Sequence, residues 1–162
     1  KLIHPDVHYV FPVNKGPKTT DDKPTSESYI KYWRELAVAN PYFTEADLQR
    51  AIGIESKNGL IAVAEAKAII SKLSLTAVAD GYKAVIFYLP AKMNQETANR
   101  LLKMVEEPPE KTLFIFITHL CYTMLGDFLK LQIYYKIRLT WIILAFACNY
   151  FTNMLSYISI FI

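Results

Sequence analysis

Few residues in this chain have the type and spacing to carry chemistry. His4 and His8 lie four apart with Asp6 between them. They could begin a metal site, but no third ligand is near in sequence, so they read as boundary histidines. Cys121 and Cys148 are far apart and fit neither a disulfide framework nor a zinc spacing. Glu106, Glu107 and Glu110 cluster around Pro108–Pro109. Such a cluster is a solvated helix end or, functionally, a contact for a basic partner. His119 falls at a break in composition and is set aside. There is no GxxxxGK[ST] or GxGxxG loop to cradle phosphates, and the chain has only five glycines. No Ser, Cys or Lys nucleophile constellation is present.

The most telling place is the end of the apolar run Tyr82–Leu89. In a P-loop ATPase a strand of this kind ends in carboxylates, one for Mg²⁺ and one to polarise the attacking water. Here the end reads Phe87, Tyr88, Leu89, Pro90, Ala91, without a carboxylate. The chain is therefore predicted to have no catalysis of its own and to hold no metal. Thr118 closes the neighbouring apolar run. Its hydroxyl could sense a ligand there or make a local hydrogen bond.

The elements that position these residues follow from pattern. Val7–Val13 is rich in β-branched and aromatic residues and reads as a strand. Asn14–Thr25 is a polar loop with two prolines and one glycine. Ser26 or Thr25 caps a helix with Tyr29, Trp33, Leu36 and Ala37 on one face. Thr44 with Asp47 caps a short helix through Leu48, Ala51 and Ile52. Ile61–Leu73 is alanine-rich and helical, with Glu65 and Lys72 expected to face water. Asp80–Gly81 turns. Tyr82–Leu89, after Lys83, and Leu113–Thr118 are continuous apolar runs, as strands buried on both faces are. Between them, Asn94 caps a helix with Ala98, Leu101, Leu102 and Val105 as its buried stripe. Pro108–Pro109 closes that helix. Strand, helix, strand in this order predicts a parallel βαβ unit in an α/β, three-layer parallel sheet.

Composition divides the 162 residues in two. Net charge is +3, too small to argue for nucleic acid by itself. Residues 119–162 keep only Asp127, Lys130, Lys136 and Arg138, and Leu139–Ile162 carries no charge across 24 residues. That length could cross a membrane once, although Asn149 and Asn153 interrupt it. The alternative is an out-of-frame translation of AT-rich coding sequence, rich in Ile, Phe, Tyr, Leu and Asn. The first residue is Lys1, and the start is expected upstream. The expected division is a folded part at 1–118, with a helical insert at about 26–52, and an apolar tail at 119–162.

The segment ANRLLKMVEEPPEKTLFIFIT, Ala98–Thr118, resembles the LLKxLEEPP…T element of bacterial clamp-loader ATPases, the gamma/tau and delta-prime subunits of DNA polymerase III. HPDVHYVFPV, His4–Val13, is similar to a strand of the same proteins. IAVAEAKAIISKLSLTAVADGYKAVIF is similar to their helix and strand leading to the second nucleotide motif, with Lys67 where many members have Arg. The resemblance covers residues 3–118 and implies a partial P-loop NTPase (AAA+) domain. Tyr88 and Leu89 replace the strand-end acids of the motor subunit, which points to the non-hydrolysing delta-prime stator rather than to an active gamma/tau-type ATPase. The zinc-binding cysteine module of many members is missing between Val13 and Gly59. After Thr118 the family's Ser–Arg–Cys element does not follow, and this break favours the out-of-frame reading of the tail. The resemblance implies gamma/tau and delta partners, indirect contact with the sliding clamp, and primed DNA in the assembly. ATP and Mg²⁺ belong to the assembled complex, Thr118 takes a sensor-like position, and the location is cytoplasmic. A small membrane-anchored protein is the competing reading, if the tail is genuine.

Overall fold

The computed structural model describes residues 2–75, 77–78 and 81–118, and the backbone alone at Thr118 and over a strand at 142–146. Element order is β1 (Val7–Val10), α1 (Ser26–Ala39), α2 (Glu45–Ile52), α3 (Val63–Leu73), β2 (Lys83–Tyr88), α4 (Gln95–Glu106), β3 (Thr112–Thr118) and β4 (Ile142–Phe146). A short 3₁₀ turn, Pro90–Lys92, links β2 to α4.

All pairings are parallel, in the order β1-β2-β3-β4. β2 is central to the described core, with Ile86 opposite both Tyr9 and Ile115. Every residue of β2 is buried. Its side chains alternate between faces, as a pleated strand requires. Ala84, Ile86 and Tyr88 join one apolar cluster with Tyr29 and Trp33 of α1 and Leu48 and Ile52 of α2. Val85 and Phe87 join the other with Ala66, Ile69 and Leu73 of α3 and Leu101 and Val105 of α4. The predicted three layers are therefore α1–α2, sheet, and α3–α4. The 26–52 segment supplies one whole layer.

Helix boundaries follow from capping. Thr44 Oγ1 accepts from the Asp47 amide at 3.3 Å while an Asp47 oxygen accepts from the Thr44 amide at 2.9 Å. Asn94 accepts from the Thr97 amide at 2.8 Å and from its hydroxyl at 2.6 Å. These bonds satisfy first-turn N–H groups that have no partner inside a helix. Gly53 ends α2 at φ 77°, where a side chain would be strained.

The structure redraws several edges. β1 stops at Val10 because the Phe11 amide and carbonyl are taken by the Ser26 hydroxyl, at 2.9 and 3.1 Å, in place of a neighbouring strand. Val13 instead bridges Leu60 in antiparallel sense. α3 starts at Val63, because Ile61 is committed to a parallel bridge with Met93. On α4, Thr97 is fully buried and Ala98 and Leu102 only partly so. Asp80 lies outside the described residues. The side chains of the tail lie outside them too. The five tail residues described as backbone form β4 along the edge of β3.

Lys83 opens β2 only 7 % exposed, and its ammonium donates to the carbonyls of Leu73 and Leu75 at 2.5 and 2.8 Å. A cation at the carbonyl end of α3 meets both the unpaired acceptors and the negative end of the helix. Replacing Lys83→Met should keep most of the stem packing and orphan both carbonyls. Urea unfolding should show a loss of about 1–3 kcal/mol. An unchanged midpoint would show that the cap contributes nothing.

Candidate functional site

In a parallel α/β sheet, ligands bind beyond the carboxyl ends of the strands. The β1, β2 and β3 ends lie together, so that edge is the candidate site. Protein groups fill it at β2. The Tyr88 hydroxyl donates to the Phe43 carbonyl at 3.2 Å, and the two rings lie 5.0 Å apart. Burial, helped by the carboxylates of Glu45 and Asp47, pushes the Tyr88 hydroxyl well above the usual phenol range. It stays protonated as a donor and is no general base.

Leu89 follows in the left-handed region at φ 54°, a conformation that costs a branched residue about 1–2 kcal/mol. Its surroundings hold it there. The Leu89 amide donates to the Ile117 carbonyl at 2.9 Å, the side chain is 8 % exposed in the core, and Pro90 disfavours the helical alternative. Lys92 then pairs with Glu45 of α2 at 2.7 Å, and its carbonyl accepts from the Ile61 amide at 2.9 Å. The turn after β2 is thus a joint between α2, the Ile61 segment and β3.

A magnesium–nucleotide would need carboxylates at this strand end. Tyr88, Leu89 and Pro90 stand there, two of them apolar and the third a buried phenol. These residues do not fit the group, and no hydrolytic step can be routed through them. Thr118 is the last residue of β3 on the same edge. Its side chain lies outside the described residues. His4 and His8 are not brought into a ligand set: His4 Nδ1 accepts from the Asp6 amide at 3.2 Å, and His8 is half-buried on β1. Burial and nearby Lys72 hold His8 below its ordinary pKa. Among the described residues, no group of three His, Cys, Asp or Glu could hold a metal.

Glu65 overturns its expected place on the water face of α3. It is 5 % exposed, and its carboxylate accepts from the Ser26 amide at 2.7 Å. Ser26 in turn holds Phe11, so one buried polar chain ties α3, α1 and the end of β1. The carboxylate sits at the positive end of α1, which favours it. Desolvation is larger, and with Glu27 nearby it raises the Glu65 pKa despite the Ser26 bonds and Lys72. The periodicity of α3 gave no sign of this, because the partner is 39 residues away in sequence. Lys72 does reach solvent, where it pairs with Glu27 at 2.6 Å.

The described residues form a three-layer α/β arrangement on a parallel sheet, with packing residues and no carboxylate at the β2 end. The family model described as DNA polymerase III, delta subunit, matches residues 2–126, and the chain belongs to that family. The match runs past the boundary expected at 118. No curated protein is similar enough to the chain to count as a match. Among solved structures, the chain is similar to a DNA polymerase III gamma subunit-related protein from Thermotoga maritima, at 21 % identity and a TM-score of 0.42. That similarity covers 60 % of this chain, which spans 30 % of the other protein's length.

The raised Glu65 pKa has a definite sign. Its contribution to stability is complete below the unfolded carboxylate pKa and is lost as pH rises through the folded value. Glu65→Gln keeps an oxygen acceptor for Ser26 and removes the buried charge. The variant should be more stable than the parent at pH 8, with this part of the pH slope gone. Glu65→Ala should lose about 1–3 kcal/mol, because it orphans the Ser26 amide. Thermal unfolding from pH 4 to 8 checks both. A Gln variant less stable than the parent at pH 8 would reverse the assignment.

Proposed function

We propose that this chain is a delta-prime-like clamp-loader subunit that serves the DNA polymerase III assembly through contact rather than catalysis. The observation that carries the reading is the β2 end, where Tyr88 and Leu89 form a packed joint at the place a motor subunit keeps its acids. Membership of the DNA polymerase III delta family supports the assembly part of the reading. In this reading the partners are gamma/tau and delta subunits, with the sliding clamp and primed DNA reached through them. ATP and Mg²⁺ are held by other subunits, and Thr118 keeps a sensor-like position at the shared edge. The work is cytoplasmic. Among the described residues, no helix is long and apolar enough to cross a membrane.

The test is reconstitution. The purified chain is mixed with the gamma/tau and delta subunits of its own organism and passed over a sizing column at near-physiological salt. Co-elution with them in fixed stoichiometry is expected. Separate elution of this chain, while the other subunits assemble with one another, would remove the reading. So would recovery of the chain only with membranes.

A further inference from the structure

The asparagines among the described residues are Asn14, Asn40, Asn58, Asn94 and Asn99. All but Asn58 have a side chain that is held. Asn14 Nδ2 donates to the Asn58 carbonyl at 2.9 Å, and its Oδ1 accepts the Lys15 amide at 2.7 Å. Asn40 accepts the Tyr42 amide at 3.0 Å, and Pro41 after it has no N–H. Asn94 is the cap of α4. Asn99 accepts from Gln95 Nε2 at 3.2 Å, and the amide that follows it belongs to the α4 ladder. The Asn58 side chain is exposed and makes no hydrogen bond among the described residues.

Gly59 follows Asn58, and its amide has no acceptor among the described residues. The amides on either side are committed. Lys57 donates to the Ile54 carbonyl at 2.8 Å, and Leu60 to the Val13 carbonyl at 2.9 Å. No hydrogen bond has to break before the Gly59 nitrogen can lose its proton. Glycine also places no Cβ in the way of a ring closing on that nitrogen.

We propose that Asn58–Gly59 is a site of spontaneous covalent modification, at which Asn58 becomes aspartate and isoaspartate through a cyclic imide. The Gly59 nitrogen gives up its proton and bonds to Asn58 Cγ. The Cγ–Nδ2 bond breaks, and Nδ2 leaves as ammonia with that proton. One water then opens the ring. Attack at Cγ gives aspartate, and attack at the backbone carbonyl carbon gives isoaspartate, whose main chain is one carbon longer. The reaction needs only water and mild base, and it does not depend on the clamp-loader reading.

The site's position gives the change a structural effect. Gly59 is packed so closely that a Cβ there would lie 2.9 Å from Pro12 Cβ. Val13 and Leu60 exchange two backbone hydrogen bonds next to it, at 3.1 and 2.9 Å. Lys57 Nζ donates to the Lys15 carbonyl at 2.7 Å. The extra carbon of isoaspartate enters a backbone with no room to move toward Pro12, and it turns the carbonyl that Asn14 uses into a free carboxylate. Modification therefore loosens the loop after Val13 from the segment after α2.

The experiment holds the full chain at pH 8 and maps its peptides by mass spectrometry over days. A gain of about 1 Da is expected at Asn58, split between aspartate and isoaspartate peptides. It should accumulate roughly tenfold faster than at Asn14, Asn40, Asn94 or Asn99, because only Asn58 precedes glycine. The same chain in urea gives the rate without the fold, and the native rate should approach it. Asn58→Gln, whose longer side chain closes a ring far more slowly, should show no gain and keep its urea midpoint. The parent's midpoint should fall as isoaspartate builds up. An intact Asn58 in the native chain, while the unfolded chain reacts, would overturn the proposal. So would conversion no faster than at the other asparagines, or an equal fall of the midpoint in the Asn58→Gln variant.

Discussion

The fold depends on the burial of β2 on both faces. A strand with six buried residues exists in water only if apolar layers cover it above and below, and only if strands on either side satisfy its amides and carbonyls. β1 and β3 meet the second demand, while α1–α2 and α3–α4 meet the first. Phe87 shows the density of the result, with ring centroids 5.0 Å from Phe116 and 6.4 Å from Phe114. Each fully buried side chain of this size contributes about 1.5–3 kcal/mol by leaving water, so β2 and its neighbours dominate the favourable side of folding.

Burial on both faces leaves polar groups that cannot reach water, and the structure ties layers together with them. Ser26 occupies both backbone groups of Phe11 while its amide is held by Glu65. Lys83 serves the end of α3 from the start of β2. Tyr88 reaches across to Phe43, and Lys92 to Glu45. These joints fix the 26–52 segment to the sheet. The aromatic stack of Tyr9, Phe11 and Phe43 around Trp33 then fills the space between.

Much of this was legible in the residues. The apolar runs that follow Lys83 and that span Leu113–Thr118 announced parallel strands because period-2 alternation is absent when both faces are covered. Asn94 and Thr44 announced helix starts because short polar side chains satisfy amides locally. The missing carboxylate after Phe87 was legible for the same reason: it is a matter of residue type at a strand end. Glu65, Ser26 and Lys83 were not legible as a set. A carboxylate or an ammonium on an amphipathic element reads as solvated unless its partner is known, and here each partner comes from another element. β1 stopped short of its pattern for a related reason, since a hydroxyl from α1 replaced the ladder that Phe11 would otherwise have joined.

The same packing that stabilises β2 shapes what its carboxyl end can do. Leu89 is held in a left-handed conformation by the Ile117 carbonyl and the core, so the turn is rigid and apolar where hydrolysis would need charge and water. The account therefore stands or falls on the chemistry of that end. The direct measurement is phosphate release from Mg²⁺–ATP by the purified chain over a series of protein concentrations, free of contaminating ATPase. The account predicts release that stays at the level of buffer throughout. A rate that rises in proportion to the concentration of this chain would contradict it.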